Sequence, residues 1–272
     1  MGKSALAPHN KIMPAPSQMA AVLLLASSLE ALAQQTTLAP SYSTASIANA
    51  ATNLTSGFAP NSIVSIYGTN LAFATAGVTT QSGILPVTLN GVTVYVGNTP
   101  GYIFFVSPQQ INVLIPVNLN PGPTSITIVR QGTAGPTVPI VLTATAPSLF
   151  EIAPNTILAT HADGSLITSA APARPGETII IYAIGLGSTV PAQNDGIIPS
   201  RSAKLANFAS LNVLLNGTAV DPSLIQYAGI TPGCAGLYQI NLLLPTPLPA
   251  NPEIRIQIGP QISPAATNLL TQ

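Results

Sequence analysis

The stretch QINVLIP, residues 110–116, returns almost unchanged as QINLLLP, residues 239–245. Five of the seven letters are identical, and the other two exchange one aliphatic residue for another. In each copy the side chains alternate between two faces with the period of a β-strand, and a proline then ends the strand. The stretch therefore predicts one strand with its terminator, present once in each of two similar halves. We expect its Gln and Asn amides to satisfy backbone groups at the strand end; ligand contact is the alternative interpretation.

A second pair of stretches supports an internal repeat. PNSIVSIYGTNL, residues 60–71, is similar to PGETIIIYAIGL, residues 175–186, at an offset of 115 residues, whereas the offset between the two QIN stretches is 129. The second copy therefore contains 14 additional residues between these landmarks. The segments 196–210 and 229–238 are predicted to hold them.

Each half reads as short strands joined by turns. The 27 prolines and 21 glycines argue against long helices. Runs such as 63–67, 178–182 and 253–259 are β-branched or alternating, and Asn216-Gly217 is the favoured two-residue hairpin turn. The sequence predicts an all-β fold of two tandem immunoglobulin-like β-sandwiches after a signal peptide, with domains at 42–146 and 147–262. The junction 143–154 is short and apolar, so the two domains are expected to pack together.

These stretches also carry a family resemblance. NSIVSIYGTNLA, VTVYVG, SPQQINVLIP and TSITIV together resemble an IPT/TIG domain, an immunoglobulin-like sandwich. Over residues 45–260 the chain is similar to an uncharacterised C-terminal domain family of secreted Solibacter-type acidobacterial proteins. The resemblance implies the fold and export, and it implies no activity. Cys234 stands where that family usually has a large hydrophobic residue, so the resemblance favours a packing role for this thiol.

The first 33 residues have the features of an export signal. Lys3 and Lys11 precede the apolar run MAAVLLLASSL, residues 19–29, and ALA, residues 31–33, is a small-x-small cleavage site. Cleavage after Ala33 is predicted, which places the protein outside the cell or at the cell surface, with no membrane span after the signal is removed. The formal net charge is +0 and only 5% of residues are charged, so nothing indicates nucleic acid as a partner.

Groupings of catalytic or metal-binding residues are not found in the sequence. The carboxylates after the signal are scattered, and Asp163 and Asp195 each precede a glycine, which is typical of turns. His161 and Cys234 occur singly after the signal, so a zinc site of normal ligand number is not expected. We predict that the chain is not an enzyme and that it has no catalytic, metal-binding or cofactor-binding residues and no cofactor.

The sequence therefore predicts a secreted, non-catalytic structural or adhesive module that binds a protein or polysaccharide of the envelope or matrix. The alternatives are a carbohydrate-binding module and an accessory domain of a secreted enzyme system. Sugars are commonly stacked on Trp or Tyr, and the chain has no Trp. Tyr95 and Tyr102 flank one predicted hairpin and are the candidate ligand-binding residues.

Overall fold

A computed structural model describes residues 38–78 and 83–272. Residues 39–272 form one compact unit. The predicted signal peptide, residues 1–33, lies outside the described residues. Within the described ranges, no helix is long and apolar enough to cross a membrane.

The first β-sandwich consists of two antiparallel sheets. One has the order β1-β2-β8-β7-β3, and the other has the order β10-β9-β5-β4, with β11 also paired to β9 and β6 to β5. The strands are β1 (Ile47–Asn49), β2 (Ile63–Tyr67), β3 (Ala76–Gly77), β4 (Thr88–Leu89), β5 (Val92–Val96), β6 (Thr99–Pro100), β7 (Tyr102–Val106), β8 (Gln110–Leu114), β9 (Gly122–Arg130), β10 (Thr133–Ala134) and β11 (Val138–Leu142). A 3-10 turn at Thr44–Ser46 precedes β1.

The second β-sandwich repeats this plan with a wider sheet. Its sheets have the orders β12-β16-β22-β21-β18-β17, with β15 paired to β16, and β20-β19-β23-β24; β13 and β14 pair separately. The strands are β12 (Ser148–Leu149), β13 (Glu151–Ala153), β14 (Thr156–Ile157), β15 (Ala159–His161), β16 (Thr178–Ile184), β17 (Thr189–Val190), β18 (Ala203–Leu205), β19 (Leu211–Leu215), β20 (Thr218–Ala219), β21 (Ile225–Ile230), β22 (Tyr238–Leu243), β23 (Ile254–Ile258) and β24 (Gln261–Ile262). The 3-10 turns Phe208–Ser210 and Pro222–Leu224 flank β19 and β20.

Each sandwich encloses its own apolar core because alternate strand residues face inward. Ile111 and Val113 of β8 belong to the first core, and Ile240 and Leu242 of β22 belong to the second. The prediction of two all-β immunoglobulin-like sandwiches is confirmed. The last ten residues also pack on the second sandwich, where Leu269 is fully buried.

The repeat appears in the structure as a shared strand register. Tyr67 lies opposite Gln110, and Tyr182 lies opposite Gln239. In both copies the Gln Nε2 donates to the Oδ1 of the Asn two residues later, at 2.9 Å. The expectation that these amides satisfy backbone groups is therefore wrong in detail, because the two side chains bond to each other on the outward face.

The 14 extra residues fall in three places. The offset between equivalent residues is 115 at Tyr67 and Tyr182, 119 in β5 and β19, 122 in β7 and β21, and 129 in β8 and β22. The insertions are therefore four residues before β19, three between β19 and β21, and seven between β21 and β22. The predicted segments 196–210 and 229–238 account for the first and the last. The middle one contains the turn at Pro222–Leu224, capped by a hydrogen bond from Ser223 N to Asp221 Oδ1 (2.8 Å).

The predicted hairpin turn at Asn216-Gly217 joins β19 to β20. Its φ angles are 48° and 78°, the left-handed values that a two-residue type I′ turn requires. Asn90-Gly91 makes an equivalent turn between β4 and β5, with φ angles of 49° and 74°. These turns set the register of the hairpins that flank them.

Candidate functional site

The two sandwiches meet on the outward face of β7 and β8. Leu114 points away from the core of its own sandwich, yet only 2% of it is exposed. It packs with Leu85 of the first sandwich and Ala235 of the second, and the partly buried residues around this cluster are Ile63, Val78, Tyr102, Phe104 and Ile198. We call this cluster the inter-sandwich contact.

Most of the second sandwich's share of this contact comes from the inserted segments. Gly196 accepts a hydrogen bond from the backbone N–H of Leu85 (2.8 Å), and Ile198 donates to the carbonyl of Gly83 (3.0 Å). Gly236 has a φ of +73°, and a Cβ there would lie 2.4 Å from Leu114 Cδ1. A side chain at Gly236 would therefore press on Leu114, Asn61 and Ile63 of the first sandwich. The additional residues of the second copy therefore dock it onto the first.

Asp195 is part of this docking. Its Oδ1 accepts from the backbone N–H of Val117 at 2.6 Å, and its Oδ2 accepts from Asn118 Nδ2. The sequence interpretation of Asp195 as a turn former is incomplete, because its carboxylate bonds to the other sandwich. Nothing in the local sequence marks this role, since its partners lie 77 and 78 residues away.

A buried tyrosine also links the two sandwiches. Asn61 Nδ2 donates to the Tyr238 hydroxyl at 3.0 Å, and that hydroxyl donates to the carbonyl of Gly187 at 2.6 Å. Tyr238 is fully buried. Loss of hydration raises its pKa to about 12, although the hydrogen bond from Asn61 acts in the opposite direction.

The junction, residues 143–154, lies outside the cluster of the inter-sandwich contact. Leu149 belongs to the core of the second sandwich, and Ile152 is 43% exposed. The junction does supply Ser148, whose hydroxyl accepts from Asn49 Nδ2 at 3.0 Å.

The titratable residues serve loops and turns. Asp163 Oδ1 accepts from the N–H and the hydroxyl of Ser165 (2.9 and 2.6 Å), and these bonds lower its pKa. His161 Nδ1 lies 3.2 Å from Glu177 Oε1, a partner that sequence reasoning missed. All six carboxylates of the described ranges accept hydrogen bonds that brace a turn, a loop or the inter-sandwich contact; they are Glu151, Asp163, Glu177, Asp195, Asp221 and Glu253. Across the described ranges, no three His, Cys, Asp or Glu side chains are grouped to hold a metal ion.

Cys234 lies in the loop before β22 and is half-buried. Burial raises the pKa of its thiol. Since a thiolate is the reactive form, this shift disfavours nucleophilic chemistry at Cys234.

The two candidate tyrosines are not brought together. Tyr95 lies in β5 on the outward face of one sheet, between the inward-facing Val94 and Val96. Tyr102 lies in β7 on the outward face of the other sheet and packs in the inter-sandwich contact, where a Cβ on Gly196 would lie 2.2 Å from its ring. Burial, and then the charge of Asp195, raise the Tyr102 pKa. The rings of Tyr95 and Tyr102 therefore do not form one shared surface on which a sugar could stack.

A concave cleft lies at the junction of the two sandwiches. It has a volume of about 560 Å³, within the usual range of ligand sites. Three separate segments line it, and their residues include Thr52, Leu54, Phe58, Val141, Ser148 and Ile262. A smaller cavity of about 230 Å³ shares Thr52 and Leu54 with it and reaches Glu151. We call the two together the junction cleft.

The lining of the larger cavity is uncharged and combines aliphatic with hydroxyl-bearing side chains. None of the described residues around the larger cavity is charged. Leu54 is 47% exposed, Val141 is 60% exposed and Ile262 is 43% exposed, so three segments each present an aliphatic side chain to the solvent in the cleft. Exposed apolar side chains grouped around a cavity make this cleft a candidate interaction site. Sequence reasoning missed the cleft because its walls come from segments about 85 to 210 residues apart.

Comparison with known proteins identifies an IPT/TIG domain at residues 52–152, which covers most of the first sandwich and the junction. No curated protein matches the sequence.

Similar solved structures include the surface glycan-binding protein PbSGBP-B from Prevotella bryantii (12% identity, 85% of this chain and 42% of that chain, TM-score 0.27). Two others are SGBP-B of the Bacteroides ovatus mixed-linkage glucan utilization locus (13%, 79% and 43%, TM-score 0.32) and SGBP-B of a Bacteroides uniformis xyloglucan utilization locus (11%, 86% and 50%, TM-score 0.25). The chain spans half or less of the length of these three proteins. Identities and scores at this level do not transfer a function.

Proposed function

We propose that the chain is a non-catalytic binding module that works outside the cell or at its surface and that holds its partner in the junction cleft. The observation that carries this proposal is the cleft itself, an uncharged cavity of about 560 Å³ with exposed aliphatic side chains on its walls. Its walls come from both sandwiches, so the inter-sandwich contact helps to keep the cleft in shape.

The chemistry of the titratable groups also favours binding over catalysis. General acid–base work on a glycosidic bond needs two facing carboxylates. Four of the carboxylates in the described ranges serve separate loops, turns or contacts, and Glu151 and Glu253 both brace the loop at 266–267. His161 pairs with Glu177 at a strand end. In the described part of the chain, neither the His161 ring nor the Cys234 thiol forms a pair of a nucleophile and a general base. We propose that the partner is recognised by shape and by backbone contacts.

A neutral polysaccharide is the second candidate partner. The hydroxyl groups of Thr52, Thr55 and Ser56 line the cleft and suit sugar hydroxyls. Tyr95 lies on an outward sheet face and is the sequence-predicted candidate for sugar stacking there. Tyr102 serves the inter-sandwich contact and is a weaker candidate.

The test is capture of native envelope or matrix material on the immobilised chain from residue 34 onward, with Val141→Arg and Ile262→Arg in parallel. The proposal expects a specific ligand that both cleft variants fail to retain, while Val190→Arg, an exposed aliphatic residue outside the cleft lining, retains it. A ligand retained equally by all variants would place binding elsewhere. N-terminal sequencing of the exported protein should begin at Gln34, and an intact Met1 in a membrane fraction would contradict the proposed export.

A further inference from the structure

The junction cleft is flanked by strand edges from both sandwiches. β11 pairs with β9, and on its other edge only its last residue, Leu142, has a further bridge, to Phe58; β24 pairs with β23 alone in the described ranges. Val141 of β11 and Ile262 of β24 line the cleft. The direction of their backbone groups therefore decides what the cleft offers to a ligand.

The backbone N–H of Val141 points away from β9. Thr143, two residues later, donates its N–H to the carbonyl of Phe58, outside the sheet, at 2.9 Å. Pro139, two residues earlier, lies opposite Ser125, whose carbonyl accepts from Gly97 N on the far side of β9 (2.7 Å). Residues two apart in a strand direct their backbone groups to the same side, so Val141 N–H faces the open edge of β11.

The backbone groups of Ile262 also face an open edge. Ser263, the next residue, donates its N–H to Ile256 of β23 at 2.8 Å. Neighbouring strand residues point in opposite directions, so the N–H and C=O of Ile262 face away from β23. The walls formed by β11 and β24 thus each combine an exposed aliphatic side chain with outward-directed backbone groups.

These features fit one kind of occupant. An extended peptide satisfies strand-edge N–H and C=O groups and places alternate side chains against apolar positions. A charged segment would find no counter-charge in the larger cavity. A sugar would find little aromatic surface there, since Phe58 is 4% exposed.

From these observations we propose that the junction cleft binds an extended, uncharged, aliphatic-rich peptide segment of a partner protein by strand addition at Val141 and Ile262. This inference rests on the proposed binding function and names the ligand class for the same cleft. Pro139 already shows that β11 accepts a residue without an N–H at an outward-directed position. Val141→Pro therefore removes the outward N–H at a position where the strand tolerates the change.

The experiment uses the chain from residue 34 onward and an array of acetylated, amidated nonapeptides built from Val, Ile, Thr and Gly. Matched arrays carry Lys or Glu at the central position, or methyl groups on alternate peptide nitrogens. We expect binding by the uncharged peptides, with amide NMR shifts at Val141 and Ile262. Binding should weaken at least tenfold in Val141→Pro and in Ile262→Arg, and should persist in Val190→Arg. Melting curves of the variants verify that they fold.

Several outcomes would overturn the strand-addition inference. They are equal binding by Val141→Pro, equal binding of the methylated peptides, or an array without any binder. A different outcome is that neutral oligosaccharides such as cellohexaose, and not peptides, shift the amide NMR signals of Val141 and Ile262. That result would keep the cleft as a binding site, with a sugar and not a peptide as its ligand. Capture of an envelope ligand by Val141→Pro as strongly as by the parent would preserve the proposed function while removing this inference.

Discussion

The side-chain amide of Asn61, in the first sandwich, donates a 3.0 Å hydrogen bond to the buried hydroxyl of Tyr238, in the second, 177 residues later. Both side chains are buried, and the hydroxyl also donates to the carbonyl of Gly187. A buried polar group that loses its partner costs about 1–3 kcal/mol. The two sandwiches are therefore energetically coupled at this point.

Replacement of both residues should reveal the coupling. Tyr238→Phe and Asn61→Ala should each lower the free energy of unfolding by about 1–3 kcal/mol, and the double variant should lose less than the sum, because each change removes the same bond. Denaturant titration of the parent, the two single variants and the double variant measures this double-mutant cycle. The matched control pairs Asn61→Ala with Tyr227→Phe, since Tyr227 donates to Ala203 and Ile230 inside the second sandwich. Additive losses for Asn61 and Tyr238 would contradict the coupling.

Alkaline pH should destabilise the protein through the same tyrosine. A free tyrosine titrates near about 10, whereas burial raises the pKa of Tyr238 to about 12. A group whose pKa is higher in the folded state contributes stability below its unfolded pKa and loses that contribution as the pH rises through its folded pKa. The free energy of unfolding should therefore fall between about pH 10 and pH 12.

Denaturant melts across this pH interval check the sign of the effect. Burial also raises the pKa of Tyr42, Tyr102 and Tyr227, so Tyr238→Phe should reduce the pH dependence without abolishing it. An identical slope in the parent and in Tyr238→Phe would show that Tyr238 ionises without an energetic penalty.

The loop before β22 offers a test of the inter-sandwich contact. Gly236 and Gly233 both have positive φ angles (+73° and +84°), so alanine is strained at either position. At Gly236 the new Cβ would also meet Leu114 Cδ1 at 2.4 Å, whereas nothing lies within 4 Å of it at Gly233. Gly236→Ala should therefore destabilise more than Gly233→Ala, by about 1–3 kcal/mol from overpacking. Hydrogen exchange should show the added loss at the Leu85 amide. Equal losses in the two variants would place the loop away from the first sandwich.

The sequence contained more information about the fold than about the site. The alternation of the QIN repeat distinguishes two strand faces, and Ile111 and Ile240 lie on the faces that are buried in the two cores. The burial of Leu114 could not be predicted from this alternation. Alternation places it on the outward face, and its burial comes from packing against Leu85 and against the inserted loop at 235–236.

The junction cleft and the bond between Asn61 and Tyr238 were beyond sequence reasoning for a related reason. Each arises from the packing of one sandwich on the other, and no local pattern encodes the relative position of segments so far apart in the chain. Val141 illustrates the difficulty, since β11 reads as an ordinary alternating strand whose outward residues face solvent. Its direction toward the cleft depends on where β24 lies.

The last prediction separates core from surface within the repeated stretch itself. Ile111 and Ile240 are fully buried at equivalent positions, each opposite an isoleucine of the neighbouring strand. Truncation of either to Ala should cost about 2–5 kcal/mol, a large part of a domain stability of about 5–15 kcal/mol. Gln110→Ala and Gln239→Ala remove only an outward side-chain bond to the neighbouring Asn, and should cost about 1 kcal/mol or less.

Thermal melts with hydrogen exchange resolved by sandwich measure all four variants. Ile111→Ala should reduce protection in β2, β7 and β8, and Ile240→Ala should do so in β16, β21 and β22, because those strands flank the altered residue. The matched Gln variants should retain native protection in both sandwiches and should bind any cleft ligand as the parent does. Loss of that ligand in a Gln variant with native protection would move the binding site from the junction cleft to the outward sheet face, since the Gln side chains do not line the cleft.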